Sequence, residues 1–270
     1  MFFSQKEFIA AVNAGTIYFG SGNRRKPAFL RSYVRQCKQA ILDRQTGFNG
    51  SNGTYYGVGK WYRPWFVVPK LRDFAPPEGD YGIGVEIELG FNTLEDAKFV
   101  ANKVKNWRHI ALDWEGPSHP IEATFPPFLY SKMDNNKQPF RYLKLLADNE
   151  DKVYKHAANS YTGTHINVSK GGVTFDSYRV SQMFSALDAF CSRNSNATKW
   201  KYFGRNPYGY CRERGGCKFI EYKLFNSTTD RKALRRYINI AVAITDLIAS
   251  DTPINQDSLL VALEAGYNKR

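Results

Sequence analysis

The sequence predicts one mixed domain of strands and helices, built on a sheet with a polar inner face and preceded by a basic extension. Three observations carry that prediction. From residue 82 onward, period-2 strand signals alternate with helix-period segments. Four strand-like segments place two polar residues at i and i+2 inside otherwise apolar runs. Positive charge is crowded into residues 1–75, where twelve lysines and arginines face only Glu7, Asp43 and Asp73.

Taken in order, "MFFSQKEFIAAVNAG" lacks the basic head and long apolar segment of a secretory signal. "GNRRKP" leads into a helix-patterned stretch, 29–45, apolar at Leu30, Val34, Cys37 and Ile41, and then into Gly- and aromatic-rich 46–66. This extension, 1–75, reads either as an arm for nucleic acid or an acidic protein surface, or as a solvated basic face. "APPEGD" (75–80) is the linker into the main domain, 76–270. A strand over 82–91 precedes a helix near 94–106 capped by Thr93. Strand-like "HIALDW" and "PIEATF" come next, then a helix near 140–157 and the strand "THINVS". A helix near 177–193 is apolar at Val180, Met183, Phe184, Leu187 and Phe190. The Arg/Tyr/Gly stretch between Tyr202 and Gly216 reads as irregular and leads to the strand "KFIEYKLFN". A long helix from Asp230 ends before Pro253, and a last helix covers 257–266.

The composition sets bounds. A chain of 270 residues, 43% hydrophobic and 15% aromatic, is long and apolar enough to bury a sizeable core. Its longest apolar runs, such as "FVV" (66–68) and "IAVAI" (240–244), are too short to cross a bilayer, so no membrane association is expected. The four cysteines, Cys37, Cys191, Cys211 and Cys217, show no CxxC spacing and read as reduced thiols of a cytoplasmic protein. The net charge of +13 suits nucleic acid or an acidic surface as a partner, and equally a solvated basic face.

The polar pairs raise the chemical question. Glu86 and Glu88 lie in "YGIGVEIELGF", Glu122 and Thr124 in "HPIEATFPPF", His165 and Asn167 in "YTGTHINVS", and Glu221 and Lys223 in "KFIEYKLF". On a strand, i and i+2 share a face about 6.7 Å apart. Two carboxylates at that spacing repel by about 2.5 kcal/mol at an effective dielectric near 20. Such a face needs water, a basic partner or a metal ion. Recurrence on four strands points to one sheet with a shared polar face. Carboxylates with one imidazole form a hard-oxygen site that also accepts nitrogen, suited to Mg²⁺ or Mn²⁺ carrying a nucleoside triphosphate. Lys223 and the arginines Arg205, Arg212 and Arg214 are candidates to grip phosphate oxygens. His109, His119 and His156 are assigned no role.

The order of these motifs resembles the amidoligase family, carboxylate–amine ligases related to glutamate–cysteine ligase and glutamine synthetase and common in phages and fungi. The resemblance spans roughly residues 80–250. "GVEIE" (84–88) is similar to the family's opening motif, whose two glutamates, here Glu86 and Glu88, face metal. "DWEG" and "HPIEATFPPF" resemble its Asp-containing turn and following strand, which implies a metal role for Glu122. "TGTHINVS" resembles the strand carrying the metal-binding histidine, here His165. "FGRNPYGYCR" resembles the Arg-Tyr segment, implying that Arg205 meets phosphate. "FIEYKLFNST" places Glu221 at the last metal carboxylate. Asn167 stands where a second histidine is common, and Lys223 where the family has arginine.

The resemblance implies an α+β fold: a curved, mainly antiparallel sheet with helices on its outer face and the site in the concavity. It implies ATP and Mg²⁺ (or Mn²⁺) as cofactors, with Glu86, Arg205 and Lys223 in catalysis. Arg205, Arg212, Lys223 and Asn167 would then hold the nucleotide. A substrate carboxylate, which a peptide or protein could carry, would be phosphorylated and then attacked by an amine. Two other readings stand beside this one. A kinase-like transfer would stop at phosphorylation, and a non-catalytic phage or nucleoprotein component would use residues 1–75 to bind nucleic acid.

Overall fold

The structure is a computed structural model and describes residues 47–49, 55–57, 74–104, 107, 110–114, 121–135, 137–153, 162–194, 203–210 and 218–269. The helix-patterned stretch 29–45, the cysteines Cys37, Cys211 and Cys217, and the candidates Arg212 and Arg214 lie outside them. Within the basic extension, β1 (Gly47–Asn49) and β2 (Tyr55–Gly57) pair as a small antiparallel ribbon, an element the Gly-rich sequence did not announce.

The main domain is α+β, with one antiparallel seven-stranded sheet. Its strands are β3 (Tyr81–Leu89), β4 (Ala111–Trp114), β5 (Ile121–Thr124), β6 (Phe128–Leu129), β7 (Gly163–Lys170), β8 (Phe203–Tyr210) and β9 (Ile220–Asn226). They run in the order β4-β5-β3-β7-β9-β8, with β6 also paired to β3. Every pairing is antiparallel, and β3 and β7 form the centre.

Alternation decides the two faces. Ile83, Val85, Ile87 and Leu89 of β3, Ile166 and Val168 of β7, and Ile220, Tyr222 and Leu224 of β9 are buried in the core. Helices cover this side. They are α1 (Leu94–Val104), α2 (Gln138–Ala147), α3 (Ser177–Asn194), α4 (Arg231–Ala249) and α5 (Gln256–Asn268). Tyr237 of α4 stacks on Phe225 at 4.6 Å, Phe184 of α3 packs on Tyr222 at 5.7 Å, and Tyr142 of α2 packs on Phe125 at 5.6 Å. The hydroxyl of fully buried Tyr222 shares a 2.7 Å hydrogen bond with Thr245 of α4, so its polar tip is satisfied.

Helices α1, α4 and α5 start at residues whose side chains cap them. The Thr93 hydroxyl accepts from the Asp96 amide and donates to its carboxylate. Asp230 accepts from the Lys232 amide, and Asn255 and Ser258 form a reciprocal capping box. At the far end of α4, Arg179 donates to the carbonyl oxygens of Leu247, Ile248 and Thr252. Helix α5 meets α4 backbone to backbone at Gly266, where a Cβ would lie 2.6 Å from the Ile240 Cα.

Two expectations need correction. The helix expected near 140–157 ends at Ala147, and a single 3₁₀ turn, Glu150–Lys152, follows. Asp148 and Asn149 favour local hydrogen bonds over helix continuation, and Asn149 donates to the Leu145 carbonyl. The stretch read as irregular contains β8, held in place by β9 despite Gly204, Pro207 and Gly209. The linker 75–80 is tied to the domain: Asp80 turns back on Pro77 and its carbonyl accepts from the Gly171 amide. No helix among the described residues is long and apolar enough to cross a membrane.

Candidate metal centre on the polar face of the sheet

The face opposite the core carries the four polar pairs, and register fixes their neighbours. Glu86 is opposite Thr124 on one side and His165 on the other, while Glu88 is opposite Glu122. Asn167 lies between Gly84 of β3 and Glu221 of β9. Strands are spaced about 4.8 Å apart, so the backbones of β3 and β9 stand about 10 Å apart with β7 between them. The side chains of Glu86 and Glu221 lean inward over β7 to meet His165. One ligand atom from each of Glu86, His165 and Glu221 lies within 4.8 Å of the others.

The imidazole is the hub. Its Nδ1 is 3.5 Å from Glu86 Oε2, and its Nε2 is 3.5 Å from Glu88 Oε1. His165 is only 7% exposed, and its Nδ1 is buried without a hydrogen-bond partner. An orphaned nitrogen of that kind costs about 1–3 kcal/mol unless something occupies it. Lys223 Nζ stands 3.4 Å from Glu221 Oε1 and offsets one of the carboxylates. Among the described side chains of this face, Glu86, Glu88, Glu122 and Glu221 still outnumber that single lysine. The arrangement therefore carries excess negative charge in a largely desolvated place.

Two features hold the ring where it is. The register of β7 against β9 shifts between Thr164 and Ile166, so a bulge in β9 faces His165 and re-aims the adjoining side chains. Gly163, two residues before the histidine and on the same face, lies under the ring. A Cβ there would lie 3.4 Å from Nε2 and 3.3 Å from the Phe225 carbonyl oxygen. Sequence reasoning missed Gly163; its only signal was a glycine at i−2 in "TGTH".

The structure thus brings Glu86, His165 and Glu221 together, with Glu88 on the far side of the ring and Lys223 beside Glu221. Glu122 is outside the triad, and its Oε1 accepts a 3.0 Å hydrogen bond from Thr124. Asn167 is buried on the same face. Arg205 belongs to β8, the strand beyond β9, within the stretch where the β8–β9 register shifts.

The donor set fits a divalent cation of the Mg²⁺ or Mn²⁺ class. Ligands around such an ion at 2.0–2.1 Å stand at most about 4.2 Å apart. The triad atoms, all within 4.8 Å of one another, are close enough to converge on one such ion after side-chain adjustment. A cation would also occupy the orphaned Nδ1 and neutralise the facing carboxylates. No protein-family model matches the chain, and no curated protein matches it significantly.

Proposed function

We propose that this chain is an ATP- and Mg²⁺- or Mn²⁺-dependent carboxylate–amine ligase whose cation is held by Glu86, His165 and Glu221. The observation carrying the proposal is that two carboxylates and an imidazole from β3, β7 and β9 meet over the sheet. The resemblance to amidoligases adds the reaction class, and with it the curved, glutamine-synthetase-like sheet and a cytoplasmic setting. Bound there, the cation supplies charge neutralisation for the phosphates of ATP.

The chain's own residues have distinct tasks in this reading. Lys223, beside Glu221, offers an ammonium to phosphate oxygens. Arg205, on β8, is a candidate to meet phosphate, as is Arg212, which lies outside the described residues, and Asn167 contributes a neutral hydrogen-bonding group. A substrate carboxylate oxygen attacks the γ-phosphorus and releases ADP. The amine then attacks the acyl phosphate carbon, loses a proton and expels phosphate, leaving an amide. Positioning and charge stabilisation do most of the work in such transfers.

The test is incubation with Mg·ATP and fractionated cell extract, with ADP release and new amide-linked masses followed together. ADP with an amide product supports the ligase, and ADP with a phosphorylated product means the kinase-like alternative. Absence of ADP release with every fraction refutes both. Residues 1–75 favour a second role on charge alone, nucleic-acid binding, which salt-sensitive retention on DNA and its loss on deleting 1–75 would test.

A further inference from the structure

The two nitrogens of His165 face different carboxylates, and their surroundings differ. Nδ1 faces Glu86, one of the two carboxylates that share the triad with the ring, and it has no hydrogen-bond partner. Nε2 faces Glu88, which is not part of the triad, from the side where Gly163 leaves room. A histidine that ligates a metal through one nitrogen characteristically donates the N–H of the other to a carboxylate, which fixes tautomer and orientation.

We infer that Glu88 is not a cation ligand but a positioning residue. It accepts the Nε2–H of His165 so that Nδ1 presents its lone pair to the cation between Glu86 and Glu221. The inference rests on the cation site proposed above and sharpens it. The like-charged pair at 86 and 88 thereby divides into two roles, one carboxylate toward the ion and one toward the ring. The 3.5 Å separation between Nε2 and Glu88 is longer than a good hydrogen bond, and it would shorten as the cation draws the triad together. Gly163 belongs to the same device, because a side chain there would crowd Nε2 and turn the ring.

The test is Mn²⁺ affinity, measured by electron paramagnetic resonance on the full chain, in wild type and in Glu86→Gln, Glu88→Gln and Glu88→Ala. A glutamine at 88 keeps an acceptor for Nε2–H but loses the charge that a ligand needs. Glu88→Gln should therefore stay within about threefold of wild type, whereas Glu88→Ala loses about 10–100-fold. Glu86→Gln should lose at least as much as Glu88→Ala. In parallel, ¹⁵N spectra of histidine-labelled protein, with the His165 signal assigned through His165→Gln, should show a single Nε2–H tautomer in wild type and Glu88→Gln. Glu88→Ala should show a mixture, and circular dichroism confirms that each variant is folded. If Glu88→Gln loses affinity as severely as Glu86→Gln, Glu88 is a ligand and the inference falls while the cation site stands. If Glu88→Ala binds like wild type, the positioning role falls. If wild type binds no Mn²⁺, the cation site falls and takes this inference with it.

Discussion

Glu86 distinguishes a functional cluster from a structural one, because the two make opposite predictions for Glu86→Gln. In a structural cluster, removing a buried carboxylate breaks favourable contacts and destabilises the fold. In an ion site without its ion, the carboxylates oppose one another, and removing one relieves the fold. The candidate ligand oxygens of Glu86 and Glu221 lie within 4.8 Å. At an effective dielectric near 20, that is a repulsion of roughly 3.5 kcal/mol. Glu88, one strand repeat away, adds about 2.5 kcal/mol. Lys223, 3.4 Å from Glu221, offsets much of this, and the variant also loses the attraction of Glu86 to that lysine. A net gain of about 1–2 kcal/mol remains for the cation-free variant.

For a domain of this size the gain raises Tm by about 2–8 °C, read by differential scanning calorimetry in EDTA. Adding Mn²⁺ at about 100 times its wild-type Kd should then stabilise wild type by about 2.7 kcal/mol and the variant, with at least tenfold weaker binding, by no more than about 1.4 kcal/mol. The lead of the variant in EDTA should therefore shrink or reverse in Mn²⁺. A variant that melts below wild type in EDTA, together with no response of wild type to Mn²⁺ or Mg·ATP, would refute the reasoning. The carboxylates would then be ordinary members of a hydrogen-bonded network.

Three further outcomes follow from the geometry. Gly163→Ala should fold with a loss of no more than about 1–2 kcal/mol yet weaken Mn²⁺ binding roughly tenfold, because the new methyl group crowds the His165 ring; denaturant titration and Mn²⁺ resonance separate the two effects. Gly266→Ala should do the reverse, costing about 1–3 kcal/mol by forcing α5 off the Ile240 backbone while leaving Mn²⁺ affinity unchanged. The Cys191 thiol is pushed up to about 12 by burial, with the Asp188 charge adding to it, so it stays protonated at pH 8. Its peptide should remain unmodified by iodoacetamide in the native protein and react fully in guanidinium, which mass spectrometry reads directly.

The parts of this molecule legible in its sequence are those governed by local periodicity. A strand's period of two assigns Glu86 with Glu88, and His165 with Asn167, to one face whatever the strand pairs with. Helix caps are equally local, which is why Thr93 and Asp230 marked their helices. The strand order was not legible. That His165 sits between Glu86 and Glu221 follows from β7 lying between β3 and β9, a non-local pairing that no residue pattern specifies. Strand β8 was obscured for a related reason. Its glycines and proline disfavour a strand in isolation, and the neighbouring strand overrides that preference. Glu122 looked equivalent to Glu86 in sequence, but Thr124 on its own strand engages it and leaves it outside the triad.

The sheet explains why the site was visible as a conflict before any geometry was known. On its helix-covered face, branched and aromatic residues alternate inward, and helices with apolar stripes cover them. The other face breaks that pattern at residues 86, 88, 122 and 221, where carboxylates occupy shielded strand positions that alternation alone would fill with neutral groups. Sequences that fold reliably keep such conflicts few, and the ones that remain concentrate where function demands them. The core residues of β3, β7 and β9 are enough to hold those strands side by side. Bringing Glu86 and Glu221 across β7 onto one imidazole adds nothing to that core and raises its electrostatic cost. Under the proposed function a bound cation turns this cost into stabilisation, so any Mn²⁺ dependence of stability and any ATP-dependent activity should be lost together across variants of Glu86 and Glu221.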